Sequence, residues 1–485
     1  MTAARPMPHG FVWKPIHIIL IVAFFQVLIT LLTDGFALSF DEAMWHYIGR
    51  NWFRHGLTPY SGGVDNKSPL IFAIFGFSDW LLGVNYWFPR LLGTVIQSVG
   101  IYYLYLVALK LAGRRAGMIT IVLYGLSLLW RSTDGKLVSL TETYAITFII
   151  LAFYLFLYGK NQKGYFLSGL ISAMALGFRL SAGFGIAAIF FWALKQGGKK
   201  PIFSFCLGLM AGCLLLAGLA RISGISTNQF ISYAFLDNFG AGSATDHSVL
   251  SRLEGLVNGF FYSELLLFLP GVLACFLIKK KSALPGIWFI CEFIGLNIIG
   301  IYARAHFKNL LPSMSLMNAI AITYLIDEYK IPIKPVMIIL WISFFPKLLE
   351  PLVNLKKLLL PPSVRSSAFI PDDYAKKQMG LWIKAHTGPN EKVLVAGFGA
   401  IVQAYSERIS PSIYFNATQT KMAKERFFSE VRRQEPAMVL VPASANYQAE
   451  VQPDVRDFVD SLVSKDYEFE NSLNGYRIYG INKGK

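Results

Sequence analysis

Cysteine is nearly absent: the chain has 485 residues and four cysteines, Cys206, Cys213, Cys275 and Cys291. All four sit inside apolar runs and none lies in the polar C-terminal part, which leaves no disulfide framework or zinc knuckle to consider. Charge is scarce too, at 15% of residues. The seven histidines are scattered, and His46 and His55, nine residues apart, do not have the spacing of metal ligands on one helix turn. No Walker sequence, His-Glu-x-x-His or Gly-x-Ser-x-Gly occurs. Gly397-Phe-Gly399 follows an apolar stretch where a dinucleotide fingerprint would begin, but Val402 stands where the third glycine belongs, so no nucleotide cofactor is expected. No cofactor of any other kind is announced, and a divalent metal stays open.

What the chain has in abundance is apolar sequence. Hydrophobic residues make up 54% of it, in repeated runs long enough to cross a bilayer, since a span needs roughly 17–25 such residues. The first, Ile16 to Leu32, has Gln26 as its one notable polar interruption, and no small-residue cleavage site follows it before Asp34, so it reads as an uncleaved span. The formal net charge of +16 suggests nucleic acid until its distribution is examined. Residues 372–485 carry 15 Lys and Arg against 14 Asp and Glu, so the excess lies in the first 371 residues. There it falls in every second loop, at Lys110, Arg114 and Arg115, at Lys160 and Lys163, at Lys195, Lys199 and Lys200, at Lys279 to Lys281, and at Lys330 and Lys334. That is the positive-inside pattern of a polytopic membrane protein, and it argues against a nucleic-acid partner.

The expected architecture has about eleven spans, near 15–33, 89–112, 116–131, 140–158, 164–178, 180–194, 201–221, 260–278, 284–301, 309–326 and 332–349. With the basic loops cytosolic, the N-terminus is cytosolic, and the long mixed loops and residues 350–485 are extracytoplasmic. Residues 1–350 then form a membrane domain, 351–371 a linker, and 372–485 a small α/β domain. In that last part "KVLVAG", "AMVLVP" and "YRIYGI" read as strands, with helices over 420–434 and 454–465.

The first extracytoplasmic loop, residues 34–88, has its own structure. Ser39-Phe-Asp-Glu42 fits a capping box, followed by Met44, Tyr47, Ile48 and Trp52 at helical spacing. His46, Arg50 and Arg54 fall on the opposite face, which predicts a helix lying at the membrane surface. Ser68-Pro69 opens a second apolar helix reaching Leu82, too short to span. Asp41 and Glu42 thus stand at a helix start just outside the bilayer, where acids also favour the helix dipole for purely structural reasons. Cations surround them in sequence-distant places: Lys67 before the second helix, Arg179 at a turn between two spans, and Arg304, His306 and Lys308 in the short loop "IYARAHFKN". Ionisable groups at such depths are costly and are functional candidates. A carboxylate opposite a cationic cluster at a membrane surface suits group transfer with a phosphate leaving group. The acid serves as general base on a hydroxyl, and the cations take up the charge that builds on the phosphate.

The order of these motifs resembles the GT-C glycosyltransferases: Asp-Glu after the first span, Lys-x-Pro-Leu before a surface helix, and a late Arg-x-His-Phe-x-x-Leu-Leu-Pro. The nearest branch is the family-39-like group of protein O-mannosyltransferases and the bacterial aminoarabinose transferases that modify lipid A. The likeness covers residues ~15–350 in topology and motif order. It implies a polyprenyl-phosphate-linked sugar as donor, Asp41 as the catalytic carboxylate with Glu42 as its companion, and Lys67, Arg304 and His306 at the donor phosphate. Lys67-Ser68-Pro69 departs from the usual Lys-Pro-Pro by its middle residue, a change that spares the lysine. Glu142, in "LTETY", matches a frequent acidic position, though an acid at a helix start is also ordinary. The large insert of the eukaryotic protein mannosyltransferases is missing between spans seven and eight, which points to a bacterial inner-membrane enzyme with a lipid or glycan acceptor, most simply an envelope glycolipid or lipopolysaccharide. A protein acceptor is the alternative within this fold. A lipid or sugar transporter or flippase is the alternative of another class; it needs polar midplane residues, for which only Glu264 and Glu292 qualify, and an internal repeat, which is not found. A glycan-binding relative without catalysis is opposed by the intact Asp41, Glu42 and Lys67.

Overall fold

The computed structural model describes residues 13–33, 36–130, 138–196, 198–236, 249–262, 283–300, 302–303, 305–332, 371–416, 423–443 and 451–482, with a few isolated positions between them. Apolar runs become helices because lipid offers no partner to a backbone N–H or C=O, so each must be satisfied within the segment. In the membrane part these are α1 (Pro15–Leu32), α2 (Phe40–His55), α3 (Pro69–Leu82), α4 (Trp87–Trp130), α5 (Thr141–Gly159) and α6 (Gln162–Phe178). They are followed by α7 (Gly183–Lys195), α8 (Lys199–Ile222), α9 (Val249–Tyr262), α10 (Ala283–Ile299) and α11 (Leu311–Glu328). Among the described residues five helical stretches are long and apolar enough to cross a membrane by themselves, and α3, α7 and α10 are shorter apolar helices.

The expected spans near 260–278 and 332–349 fall mostly outside the described residues; each of the others coincides with a helix. Residues 87–130 hold two of them. Their boundary is Gly113, whose φ of 88° no helix tolerates. A Cβ placed on Gly117 would lie 2.9 Å from the Tyr105 ring, so the chain doubles back there as a helical hairpin. Gln26 of α1 is buried and donates to Gln97 Oε1 of α4 at 2.5 Å, which gives the amide of the polar interruption a partner across the helices.

The first loop departs from expectation. Its two helices form where predicted, but α2 does not lie on the surface: Glu42 through Asn51 are all buried. The face bearing His46 and Arg50 turns onto α3 rather than to water, because α3 presents Asp79 to it. Arg50 Nη2 meets Asp79 Oδ2 at 2.7 Å and His46 Nδ1 lies 3.4 Å from the same oxygen. The helices come this close because Gly49 and Gly76 face each other; a Cβ on Gly49 would sit 2.4 Å from Gly76 N. The outer side of α3 leaves Phe77, Trp80 and Leu81 exposed, the composition of a membrane-interface anchor.

The C-terminal part holds α12 (Pro371–His386), β1 (Val393–Val395), α13 (Ala400–Ser406), α14 (Lys424–Gln434), β2 (Met438–Pro442), α15 (Pro453–Asp466), β3 (Tyr467–Leu473) and β4 (Tyr476–Ile481). The sheet order is β1-β2-β4-β3, with β1 parallel to β2 and the other pairs antiparallel. Strand β3 was not foreseen. It is an edge strand with Glu468 and Glu470 exposed, and it turns into β4 through Asn474-Gly475, both at positive φ as a tight hairpin requires. This domain is packed onto the membrane part: Ala400, Ile401, Ala404, Tyr405 and Phe415 share one hydrophobic core with Ala43, Met44 and Tyr47 of α2.

Candidate active site

Helix α2 begins with the expected capping box. Ser39 Oγ accepts from Glu42 N, and Glu42 Oε2 accepts in return from Ser39 N at 3.0 Å. Glu42 then does more than cap. Arg90, near the start of α4, donates through Nε to Glu42 Oε1 and through Nη2 to Oε2, each at 2.8 Å. Ser139 adds a hydrogen bond to Oε1 at 2.7 Å. Burial by itself would push this carboxyl up; the charge of Arg90, with hydrogen bonds from Arg90, Ser139 and Ser39, outweighs it and holds the group at about 2. Glu42 is therefore ionised, fully enclosed and shared among α2, α4 and the segment before α5.

Asp41, one residue earlier in the same first turn, is partly buried and directed elsewhere. Its charge acts on Arg179, as does that of Glu292. Arg179 is the C-cap of α6, fixed by the packing of the preceding Phe178, whose ring stacks on Tyr144 of α5 at 4.8 Å. From there the guanidinium forms an ion pair with Glu142 at the start of α5 and donates through Nε to Ser181 Oγ at 2.5 Å. The neighbouring Thr143 accepts from Lys308 Nζ, which arrives from a 3-10 segment (His306–Leu310) ahead of α11. Glu292 enters from α10, with Trp288 Nε1 3.4 Å from its Oε1.

Five of the sequence-singled residues can now be placed. Glu142, Arg179 and Lys308 gather where α5, α6 and the 3-10 segment meet, His306 opens that segment, and Asp41 in the first turn of α2 is near enough for its charge to act on Arg179. Arg304 lies outside the described residues. Lys67 has a separate anchorage: its Nζ donates to Asn66 Oδ1 at 2.6 Å and lies 3.8 Å from Asp65 Oδ1, while Trp45 of α2 holds the other Asp65 oxygen at 2.9 Å. Lys67 keeps 23% of its side chain exposed, against 9% for Arg179, so it is the more accessible cation.

Sequence reasoning missed several groups. Arg90 was visible as a lone cation in "WFPRLLG", and Asp79 as a lone acid in an apolar helix. Glu292 was noticed only as a transporter-like midplane acid, whereas the structure buries it against Trp288, with its charge acting on Arg179. Among the described residues no group of three or more His, Cys, Asp or Glu side chains is arranged to hold a metal ion.

No protein-family model matches the chain, and no curated protein matches it by sequence. Solved structures do match. ArnT from Cupriavidus metallidurans bound to undecaprenyl phosphate superposes with a TM-score of 0.64 at 14% identity, covering 97% of this chain and 98% of that one. Its apo state gives 0.61 at 14% identity, covering 96% of each chain. The archaeal oligosaccharyltransferase AglB from Archaeoglobus fulgidus, in complex with an inhibitory peptide and a dolichol-phosphate, gives 0.52 at 11% identity, covering 97% of this chain and 74% of that one. The chain thus has the GT-C fold over nearly its whole length, C-terminal domain included.

Proposed function

We propose that the protein is an inverting glycosyltransferase that moves one sugar from a polyprenyl-phosphate carrier to an acceptor hydroxyl outside a bacterial inner membrane, with an envelope glycolipid or lipopolysaccharide as acceptor. The observation that carries this reading is the fold shared with structures that hold undecaprenyl phosphate and dolichol-phosphate, with Asp41 in the first turn of α2 and its charge felt by Arg179. In the step, the acceptor oxygen forms a bond to the anomeric carbon while the bond from that carbon to the phosphate oxygen breaks. Asp41 takes the acceptor proton, and the electron pair leaves on the polyprenyl phosphate. The helix dipole and Arg179 both favour the ionised form that a base needs at rest.

Within this reading Glu42 has a different part from the catalytic one that motif order suggested. Enclosed by Arg90, Ser139 and Ser39, it fixes the turn from which Asp41 projects. Lys67 is the donor-phosphate ligand, joined by His306 and Arg304. Arg179 and Lys308 are already held by Glu142 and Thr143, which suits them to shaping the base side of the site.

The test is a mass spectrum of envelope glycolipids from the source strain with and without the protein, followed by complementation with Asp41→Asn. That variant keeps the size and capping ability of the side chain but cannot accept a proton. Losing a general base costs ~10²–10⁴-fold in rate. The expected result is an inserted protein that binds undecaprenyl phosphate and leaves the glycolipid unmodified. Full modification by Asp41→Asn would refute the assignment, and a change in glycoproteins alone would move the acceptor to protein.

A further inference from the structure

The C-terminal domain carries no catalytic motif, and its Gly397-Phe398-Gly399 loop is closed to a ligand by the chain itself: a Cβ on Gly399 would lie 2.7 Å from the Phe415 carbonyl. The domain touches the membrane part at Val64, whose N donates to Ile413 O at 3.0 Å, at Tyr233, which packs against Tyr414, and at the residues that bracket Asp41. Phe398 packs edge-on against Phe40, the residue before Asp41, with ring centroids 5.3 Å apart. Leu38 N, which precedes the N-cap and so has no partner within the helix, donates to Tyr405 Oη at 3.0 Å. Further along α2, Tyr47 Oη accepts from Ser410 N at 3.0 Å, and its ring lies 4.3 Å from that of Phe415. Leu38 and Tyr405 are both buried, so water cannot replace the bond between them. An interface this apolar and this continuous with the membrane core behaves as one body rather than as a tethered module.

We infer that the domain is part of the catalytic machinery's support, with Tyr405 as a positioning residue that fixes the N-terminal turn of α2 and through it the Asp41 carboxylate. The inference rests on the reading of Asp41 as the base. It gives the domain a task in turnover rather than in binding, because Tyr405 holds Leu38 on the backbone side of the turn that carries the acid. Misplacing a reacting group by about 1 Å costs on the order of 10²-fold, so a loosened turn is expected to show in kcat.

The experiment compares Tyr405→Phe with Tyr467→Phe in the full-length protein. Tyr467 also buries a hydroxyl within the domain, donating to Pro436 O at 2.7 Å, but it lies in β3, outside the contacts with α2. Tyr405→Phe is expected to lower kcat ~10–100-fold with KM and undecaprenyl phosphate affinity unchanged. Tyr467→Phe should stay within about twofold of wild type while losing comparable thermal stability. Phe398→Ala, which removes the edge contact on Phe40, should show the same kcat loss, and it serves if Tyr405→Phe does not accumulate. In an Asp41→Asn background Tyr405→Phe should add nothing, since both act through one group. Wild-type kcat in both Tyr405→Phe and Phe398→Ala, or equal kcat losses in the two tyrosine variants, would overturn the inference. Full activity of Asp41→Asn alone would instead overturn the base assignment on which it rests.

Discussion

Glu42→Gln separates a structural acid from a catalytic one. In the folded protein the Glu42 carboxylate takes two 2.8 Å bonds from Arg90 and one of 2.7 Å from Ser139, at a site where Arg90 is 2% exposed. Glutamine keeps the cap to Ser39 but leaves the Arg90 guanidinium buried beside a neutral amide. Breaking one side of such a pair costs about 3–5 kcal/mol, mostly as the penalty of the stranded charge. A second route gives the same order. The folded carboxyl titrates at about 2 against a reference of 4.5, which is worth about 3 kcal/mol. Because the folded value is depressed, that contribution is complete above pH ~4.5 and is lost as pH falls toward 2. The assay is thermal unfolding of the purified protein in detergent between pH 7 and pH 3. Wild type should lose stability below pH ~4.5, and Glu42→Gln should start lower and lose less over that window. Adding Arg90→Met removes the stranded charge and should restore most of the loss, as replacing whole buried pairs often does. A Glu42→Gln protein as stable as wild type, or a double variant no better than the single one, would refute the account of Glu42 as a buried structural ion.

Lys67→Met should weaken undecaprenyl phosphate affinity ~10-fold or more, the worth of one charged hydrogen bond, with unchanged helix content; equal affinity by titration would remove Lys67 from the phosphate site. Gly76→Val places a Cβ 2.5 Å from the Phe53 ring and 2.7 Å from Gly49 O, so α2 and α3 must part. The expected cost is about 2 kcal/mol or more, read as a lowered unfolding temperature, and an unchanged one would contradict the close crossing. A membrane-impermeant maleimide added to intact cells should label Ser461→Cys in α15 and not Lys163→Cys at the start of α6; the reverse would invert the topology on which the extracytoplasmic site depends.

The helices at nine of the eleven expected spans, the capping box at Ser39 and three of the four strands were legible because each is written in local sequence. Hydrophobic length, a Ser-x-x-Glu spacing and short apolar runs need no knowledge of the rest of the chain. What could not be read was which groups meet. Periodicity put His46 and Arg50 on one face of α2 and assumed water beyond it; the face meets Asp79, 29 residues from Arg50 in the chain. Glu42 and Arg90 are 48 residues apart and Glu142 and Arg179 are 37 apart, and nothing in the spacing announces either pair. Strand β3 was hidden by its edge position, where Glu468 and Glu470 break the apolar pattern, although Asn474-Gly475 marked the hairpin beside it. The candidate site was thus legible as a set of residues and illegible as a circuit of charges.

That circuit bears on how one site handles a base and a phosphate together. Among the described residues the cations on this side are already engaged: Arg179 pairs with Glu142 and feels the charge of Asp41, and Lys308 is held by Thr143. A phosphate brought to Arg179 would have to draw it away from Glu142. Lys67 is differently placed, with Asn66 and the more distant Asp65 as neighbours and a quarter of its side chain open. In-line displacement at a sugar carbon needs the base on one side and the leaving phosphate on the other. Arg179 and the helix dipole favouring an ionised Asp41 on one side, and a separate accessible lysine for the carrier phosphate on the other, meet that requirement without asking one cation to serve both ends. The proposed roles of Asp41 and Lys67 are therefore compatible, and removing the positive charge at Lys67 should cost donor binding while leaving Arg179 paired with Glu142.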